Sequence, residues 1–235
     1  MTKITTFDLD IPNYVKSIRF DIGLSYCAPN SAVWLSEDDN VFVFGVEPNR
    51  FCVETIKKEG VYCDRRGRRH LLPNERFRLI ECALDNVSEP TEQVFYHMKG
   101  DPGTSSLLKP TRRLKYRVRE KSAVWTMPFS SLLDNVPWDR FAYVELVKTD
   151  TQGKDLDILR SAGDYLHRIV YINAEVNTFG CYENSPSPVE FNEFITDMGF
   201  VKLFDNSIVR GKVVDSTYIN TRFLYLKDSI NCFVL

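Results

Sequence analysis

The sequence lacks the signatures that would place it quickly. It has six cysteines (Cys27, Cys52, Cys63, Cys82, Cys181, Cys232) but no C-x-x-C pair, which argues against a zinc knuckle and against a disulfide framework. Its three histidines (His70, His97, His167) show no H-x-x-x-H or H-x-x-H spacing, so an all-histidine metal site is not expected. No apolar run approaches the roughly 18 residues of a membrane span, and the segment MTKITTFDLDIPNYVK has no apolar stretch of the kind a signal peptide carries. These absences predict a cytoplasmic chain with no membrane span. Charge of one sign is also missing: 30 Lys and Arg against 32 Asp and Glu leave a formal net charge of −2, too little for overall steering toward nucleic acid or an acidic membrane. No internal repeat and no low-complexity linker breaks the 235 residues, which predicts one domain over 1–235.

What is present is a succession of short β-branched and aromatic runs separated by amphipathic or polar segments. SIRFDI (17–22) reads as a first strand, with a helix from Pro29 through Leu35. VFVFGVE (41–47) reads as a second strand, with a helix over 49–60. FRLIECAL (77–84) reads as the third strand, QVFYHM (93–98) and VWTMPF (124–129) as accessory strands, and AYVELVKTD (142–150) as the fourth. A helix over 154–163 and the strand RIVYINAEV (168–176) follow. A helix over 189–199 then precedes two closing strands, FVKLFD (200–205) and TRFLYLKD (221–228). Strands alternating with helices require a mostly parallel sheet, because each right-handed crossover returns its helix across a face. Two last strands with no helix between them pair antiparallel. The expectation is an α/β, Rossmann-like doubly wound sheet of seven strands closed by an antiparallel C-terminal hairpin, the architecture of class I methyltransferases.

In such a sheet ligands bind beyond the carboxyl ends of the strands. Those ends are acidic here: Asp21 with Gly23, Glu47 with Pro48, Ala83 to Asp85, Asp150 and Glu175. The first turn starts like G-x-G-x-x-G but lacks the later glycines, so it does not suit a pyrophosphate. Carboxylates suit an ammonium, a sulfonium and ribose hydroxyls better. Glu47 follows Gly23 by 24 residues, near the ~20-residue spacing at which an acid takes both ribose hydroxyls. Taken alone, Glu47 before Pro48 reads equally well as a helix or turn cap.

Six motifs, DIG (21–23), VEPN (46–49), ALD (83–85), GTSSL (103–107), VKTDTQGKDLDILRSAG (147–163) and NAEV (173–176), resemble in order those of FkbM-type methyltransferases. The most specific is K-x-D-x-x-G-x-x-x-x-x-L-x-x-A, here Lys148, Asp150, Gly153, Leu159 and Ala162. The resemblance implies S-adenosylmethionine as cofactor and transfer of its methyl group to a hydroxyl of a sugar, glycan or glycosylated natural product. It places Asp21, Gly23, Ser25 and Asn30 at the methionine end, Glu47 and Pro48 at the ribose, Ala83 and Leu84 at the adenine, and Asp150 on the reacting side. Two departures stand out: the first loop reads Leu24, Ser25, Tyr26, Cys27 where the family commonly has A-N-x-G after D-x-G, and Gln152 stands where the family often has glutamate.

Methyl transfer to a hydroxyl needs positioning and a group to take the proton. Asp150 is the leading candidate base; the competing reading is a cofactor-binding carboxylate that only holds the donor's amine, or one that caps the helix at 154. Glu175 could share a magnesium ion with it, since two hard oxygen ligands on adjacent strands suit that metal. His97, beside the GDPGTSSL loop, is the alternative base. Half the cations fall in two segments: 57–78 (Lys57, Lys58, Arg65, Arg66, Arg68, Arg69, Arg76, Arg78) and 109–121 (Lys109, Arg112, Arg113, Lys115, Arg117, Arg119, Lys121). They fit either a solvated surface or contacts to RNA or a phosphate-bearing acceptor. Three other functions compete with glycan O-methylation. A nucleic-acid methyltransferase is disfavoured by TDTQ where amino-methylating enzymes place N-P-P-Y, and a nicotinamide oxidoreductase by the missing glycines. A non-catalytic binding protein on the same scaffold is the third.

Overall fold

The computed structural model describes residues 10–59, 61–63, 69–71, 75–209 and 212–227. Its elements in chain order are β1 (Ser17–Ile22), α1 (Pro29–Glu37), β2 (Val41–Val46), α2 (Arg50–Glu59), β3 (Val61–Cys63), β4 (Arg69–Leu71), β5 (Phe77–Ile80), β6 (Ala83–Leu84), β7 (Thr91–Lys99), β8 (Arg117–Met127), α3 (Ser130–Leu133), β9 (Val144–Thr149), α4 (Asp155–Arg160), β10 (Ile169–Glu175), α5 (Pro188–Asp197), β11 (Phe200–Val209) and β12 (Lys212–Asn220). Seven strands form one sheet in the order β11-β12-β10-β9-β1-β2-β5. The five from β5 to β10 run parallel, and β12 pairs antiparallel with both β10 and β11. This is the doubly wound sheet with a C-terminal hairpin that the element order predicts.

Alternation along the strands sends side chains to two cores. Ile18, Phe20 and Ile22 of β1 join Phe42, Phe44 and Val46 of β2 on one face, packed with Leu156 and Leu159 of α4 and Phe191 and Ile195 of α5. Phe20 stacks on Phe44 with ring centroids 4.8 Å apart and meets Phe129 edge-on at 5.1 Å. The other face buries Val41, Val43, Leu146, Val170 and Tyr171 against Ala32, Trp34 and Leu35 of α1 and Ile56 of α2. Each large side chain buried this way contributes about 1.5–3 kcal/mol, so both faces must be covered for the sheet to persist. Arg19 and Asp21 are the buried charged residues of β1, and Arg19 is paired within the sheet. Its Nε pairs with Glu145 Oε2 of β9 at 2.6 Å, and its guanidinium lies over the Trp34 ring, so the buried charge is neutralised across the β1–β9 seam.

Two expected strands are corrected. Residues 77–84 are not one strand: β5 stops at Ile80, and Ala83–Leu84 pair with Thr126–Met127 in a separate sheet of order β6-β8-β7. The neighbour β2 ends at Val46 and runs into Pro48, which has no N–H to offer, so the chain beyond Ile80 finds its next ladder partner in β8. The last strand is Lys212–Asn220 rather than 221–228, whose first residues form a 3₁₀ turn (Thr221–Leu226); Asp228 lies outside the described residues. Asn220 ends the strand. Its side chain accepts from Arg222 N at 3.1 Å and donates to the carbonyls of Leu166 and Ile169. The true strand is disguised in the sequence by its polar centre, in which Ser216 and Thr217 are fully buried and hydrogen-bonded to Asp205 and Asn206.

Candidate active site

The strand order reverses between β1 and β9, and the two chains leaving these strands are held together tightly. Gly23 follows β1 with φ +86°, and a Cβ placed on it would lie 2.0 Å from the carbonyl oxygen of Asp150. Only glycine permits that backbone approach. Gly23 N donates to Val46 O, Asp150 N donates to Ile22 O, and the largely covered Lys148 ammonium donates to Gly23 O at 3.3 Å. The same ammonium stands 3.6 Å from Asp21 and 3.8 Å from Asp150. Burial opposes its charge, but Asp150 and Asp21 outweigh that and raise its pKa.

A cleft opens at this junction, with an empty volume of ≈ 580 Å³ that includes the open solvent at its mouth. Gly23, Ser25, Glu47, Pro48, Ala83, Leu84 and Asp150 all line it. Asp21 and Asn30 do not. Asp21 is fully buried behind the turn, where its Oδ2 accepts from Ser31 N (3.0 Å) and Ser31 Oγ (2.6 Å) and so caps α1, whose own preceding residue Ala28 supplies no cap. Asn30 lies in the first turn of that helix. The altered first loop keeps its turns without glycine, with Ser25 at φ 56° and Ala28 at φ 41°.

Glu47 binds backbone with both oxygens: Oε1 accepts from Asn49 N (2.8 Å) and Oε2 from Ser25 N (2.9 Å). It thereby fixes the altered loop to the end of β2. Burial pushes its pKa from 4.5 up to about 7, against those two N–H groups and Lys148. Because the folded value lies above the unfolded one, ionising Glu47 costs stability progressively as pH rises from about 4.5 to about 7, in total about 3 kcal/mol. Glu47→Gln is therefore expected to lose less stability than the unsubstituted protein between pH 5 and pH 7.5, measured as urea midpoints. Parallel pH dependences would show that Glu47 ionises freely in the fold.

Sequence reasoning missed the residues that close the cleft. Asn49 Nδ2 reaches Pro102 O and Ser105 Oγ, both at 3.4 Å, and Ser106 Oγ donates to Gln152 O at 3.0 Å, so the segment 102–107 is pinned across the opening. The motifs VEPN and GTSSL are visible as strings, but Asn49 and Pro102 are 53 residues apart, and such a contact leaves no local periodicity. Phe95, Pro102, Gly103, Ser105, Leu107 and Lys154 also line it. Lys154 is itself paired with Asp85 and Asp157, each at 2.6 Å.

Asp150 Oδ1 accepts from Gln152 Nε2 at 2.8 Å, and the same amide nitrogen is 3.4 Å from Glu175 Oε2. Gln152, at φ 60°, places its Oε1 2.8 Å from the Tyr182 hydroxyl, which is also 2.7 Å from Thr104 O. Glu175 is half-buried outside the cleft lining, and desolvation followed by repulsion from Asp150 and Asp155 raises its pKa well above the usual carboxylate range. The expected magnesium site at Asp150 and Glu175 finds no support in this arrangement. The amide group of Gln152, a donor, stands between the two carboxylates, and among the described residues no group of three or more His, Cys, Asp or Glu side chains could hold a metal ion. His97 is also away from the cleft: it lies on β7, hydrogen-bonded to Ser122 Oγ at 2.7 Å, with burial lowering its pKa. Among the described residues no helix is long and apolar enough to cross a membrane.

The family model of the methyltransferase FkbM domain matches residues 25–202. The chain belongs to the FkbM methyltransferase family. The match includes the closing segment 102–107 and the Asp150 turn, so the FkbM domain contains nearly all the cleft. No curated protein is significantly similar in sequence. Solved structures with a similar fold include precorrin-6y C5,15-methyltransferase from Geobacter metallireducens GS-15 (11% identity, TM-score 0.41, covering 90% of this chain and 85% of that one). The METTL16 methyltransferase domain (9%, 0.38, 88% and 60%) and a human methyltransferase 10 domain containing protein (8%, 0.34, 90% and 73%) are also similar. Likeness at these values carries no inference about chemistry.

Proposed function

We propose that this FkbM protein transfers a methyl group from S-adenosylmethionine to a hydroxyl oxygen of a sugar or glycan. The observation that carries the proposal is the convergence of Gly23, Glu47 and Asp150, from three strand ends, on one cleft at the switch point. The residues present suit that donor. Gly23 leaves its backbone open to close approach, Glu47 offers carboxylate lone pairs beyond the two already used by backbone N–H groups, and Val46, Pro48, Ala83, Leu84 and Phe95 supply an apolar wall for a flat ring. When bound, the donor supplies an electrophilic methyl carbon.

The chain's own contribution is position and a proton acceptor. Asp150 is about half exposed at the cleft, its Oδ1 is fixed by Gln152, and its Oδ2 lies 3.8 Å from the Lys148 ammonium. That oxygen is placed to accept the hydroxyl proton of an acceptor entering the cleft. Gln152 and Tyr182 orient it without touching the reacting atoms. The sequence TDTQ at this position supports oxygen over nitrogen as the methylated atom, since it lacks the N-P-P-Y tetrad of amino-methylating enzymes.

Titration calorimetry with S-adenosylhomocysteine, NADH and a short RNA separates the alternatives. Binding of S-adenosylhomocysteine alone is expected. NADH binding in its place would assign the cleft to hydride transfer, and no binding of any of the three would leave a scaffold without methyl-transfer activity. A screen of mono- and oligosaccharides with isotopically labelled donor then identifies the acceptor.

A further inference from the structure

The two basic segments separate in the structure. In the first, Lys57 pairs with Glu81, and Arg76 donates to the carbonyls of Asp38 and Leu35, so these cations hold the fold. Arg65, Arg66 and Arg68 lie outside the described residues. The second segment is different. Residues 109–121 carry seven cations against Glu120 alone, a local +6 in a chain of net −2, so the remainder sums to −8.

Pro110, Leu114, Tyr116 and Val118, with the exposed Arg112, Lys115 and Arg117, line an open groove of ≈ 1080 Å³. Lys109 is held by Glu183 (2.7 Å) and Arg113 by the carbonyl of Phe179 (3.3 Å), but among the described residues no carboxylate is within ion-pair distance of Arg112, Lys115 or Arg117. Tyr116 is half-buried, backed by Gly100 and with Lys115 Nζ 4.7 Å from its ring centroid, so it presents a fixed aromatic surface among the cations. The groove is also joined to the cleft. Leu107 lines the cleft and Pro110 begins the groove, and three residues of chain span at most about 11 Å. The intervening Leu108 packs against Gly153 of the Asp150 turn.

We propose that this groove binds the anionic groups, carboxylate or sulfate, of an acidic glycan whose adjoining hydroxyl enters the cleft. The assignment rests on the methyl-transfer function above and names its acceptor class. Guanidinium groups match the planar and tetrahedral oxyanions of such sugars, and one aromatic ring suits a sugar face. An extended RNA strand fits less well, because it needs several stacking aromatics and a long cationic track, whereas among the described residues Tyr116 is the one aromatic lining the groove and the rest of the chain is acidic.

The test is binding, measured without donor, of a hyaluronan hexasaccharide (carboxylate only), a chondroitin sulfate hexasaccharide, maltohexaose (neutral) and a 12-nucleotide uridine RNA. At least one acidic hexasaccharide is expected to bind roughly tenfold more tightly than maltohexaose, with the difference lost in Arg112→Glu/Lys115→Glu/Arg117→Glu and falling with salt. The pair of acidic probes tells carboxylate from sulfate. Maltohexaose binding as tightly as both acidic sugars, an acidic preference unchanged in the variant, or tighter binding of the RNA would each overturn the proposal. Should the triple variant fail to fold by circular dichroism, the corresponding glutamine variant takes its place. S-adenosylhomocysteine calorimetry on the same preparations keeps the two ideas apart: a silent cleft with a selective groove refutes methyl transfer alone, and a working cleft with an unselective groove refutes the acceptor class alone.

Discussion

Gly23→Ala is expected to abolish S-adenosylhomocysteine binding and to lower stability by at least about 2 kcal/mol. Two costs combine. Alanine at φ +86° is strained, and its Cβ would sit 2.0 Å from Asp150 O, an overlap with backbone that no rotamer change relieves. The turn after β9 must therefore move, taking with it the Asp150 N to Ile22 O bond and the Lys148 contact to Gly23 O. Gly163→Ala is the control, because Gly163 also has positive φ (+56°) but a methyl group added there would meet nothing within 4 Å. It should bear the conformational strain alone and bind normally. Urea midpoints and calorimetry on both variants check this, and an alanine at 23 that binds as well as glycine would mean that the β1–β9 turn does not define the donor cleft.

Asp150→Ala is expected to reduce methyl transfer by roughly 10²–10⁴-fold at saturating acceptor while changing donor affinity only a few-fold. The prediction follows from the division of labour in the cleft. Among the described residues the Asp150 side chain holds no backbone amide, in contrast to Glu47, whose two oxygens each hold one. Removing it leaves those backbone bonds intact but deletes the cleft-lining carboxylate proposed as the proton acceptor. Asp150→Asn keeps the size and should show the same loss in turnover. Near-normal turnover in either variant would remove Asp150 as the proton acceptor.

The sheet is legible in the sequence because its parallel strands are short apolar runs with helices between them, and the acidic strand ends are legible because ligands of such sheets bind there. What escapes is set by long-range contacts. Ser216 and Thr217 look like loop residues until Asp205 and Asn206 are beside them, so the more apolar TRFLYLKD reads as the last strand in their place. Asp21 looks like a ligand contact, but its carboxylate is needed as a helix cap because Ala28 cannot be one. Glu175 looks like a metal partner of Asp150 until the amide of Gln152 is found between them. In the sequence Gln152 itself registers only as a missing acid. Its neutral amide bridges two carboxylates that a glutamate at that position would repel.

The loops at 109–116 and 177–187 are laced together. Thr111 N donates to Cys181 O at 2.7 Å, Thr111 Oγ1 to Gly180 O at 2.8 Å, and Glu183 N to Lys109 O at 2.8 Å, while Arg113 Nη1 lies so close to Gly180 that a Cβ there would meet it at 2.7 Å. They form one cassette. Two of these bonds join backbone to backbone and so depend on the course of each loop, and grafting one loop of different length or course by itself would leave groups of the other unpaired; the two have to be exchanged as a matched set.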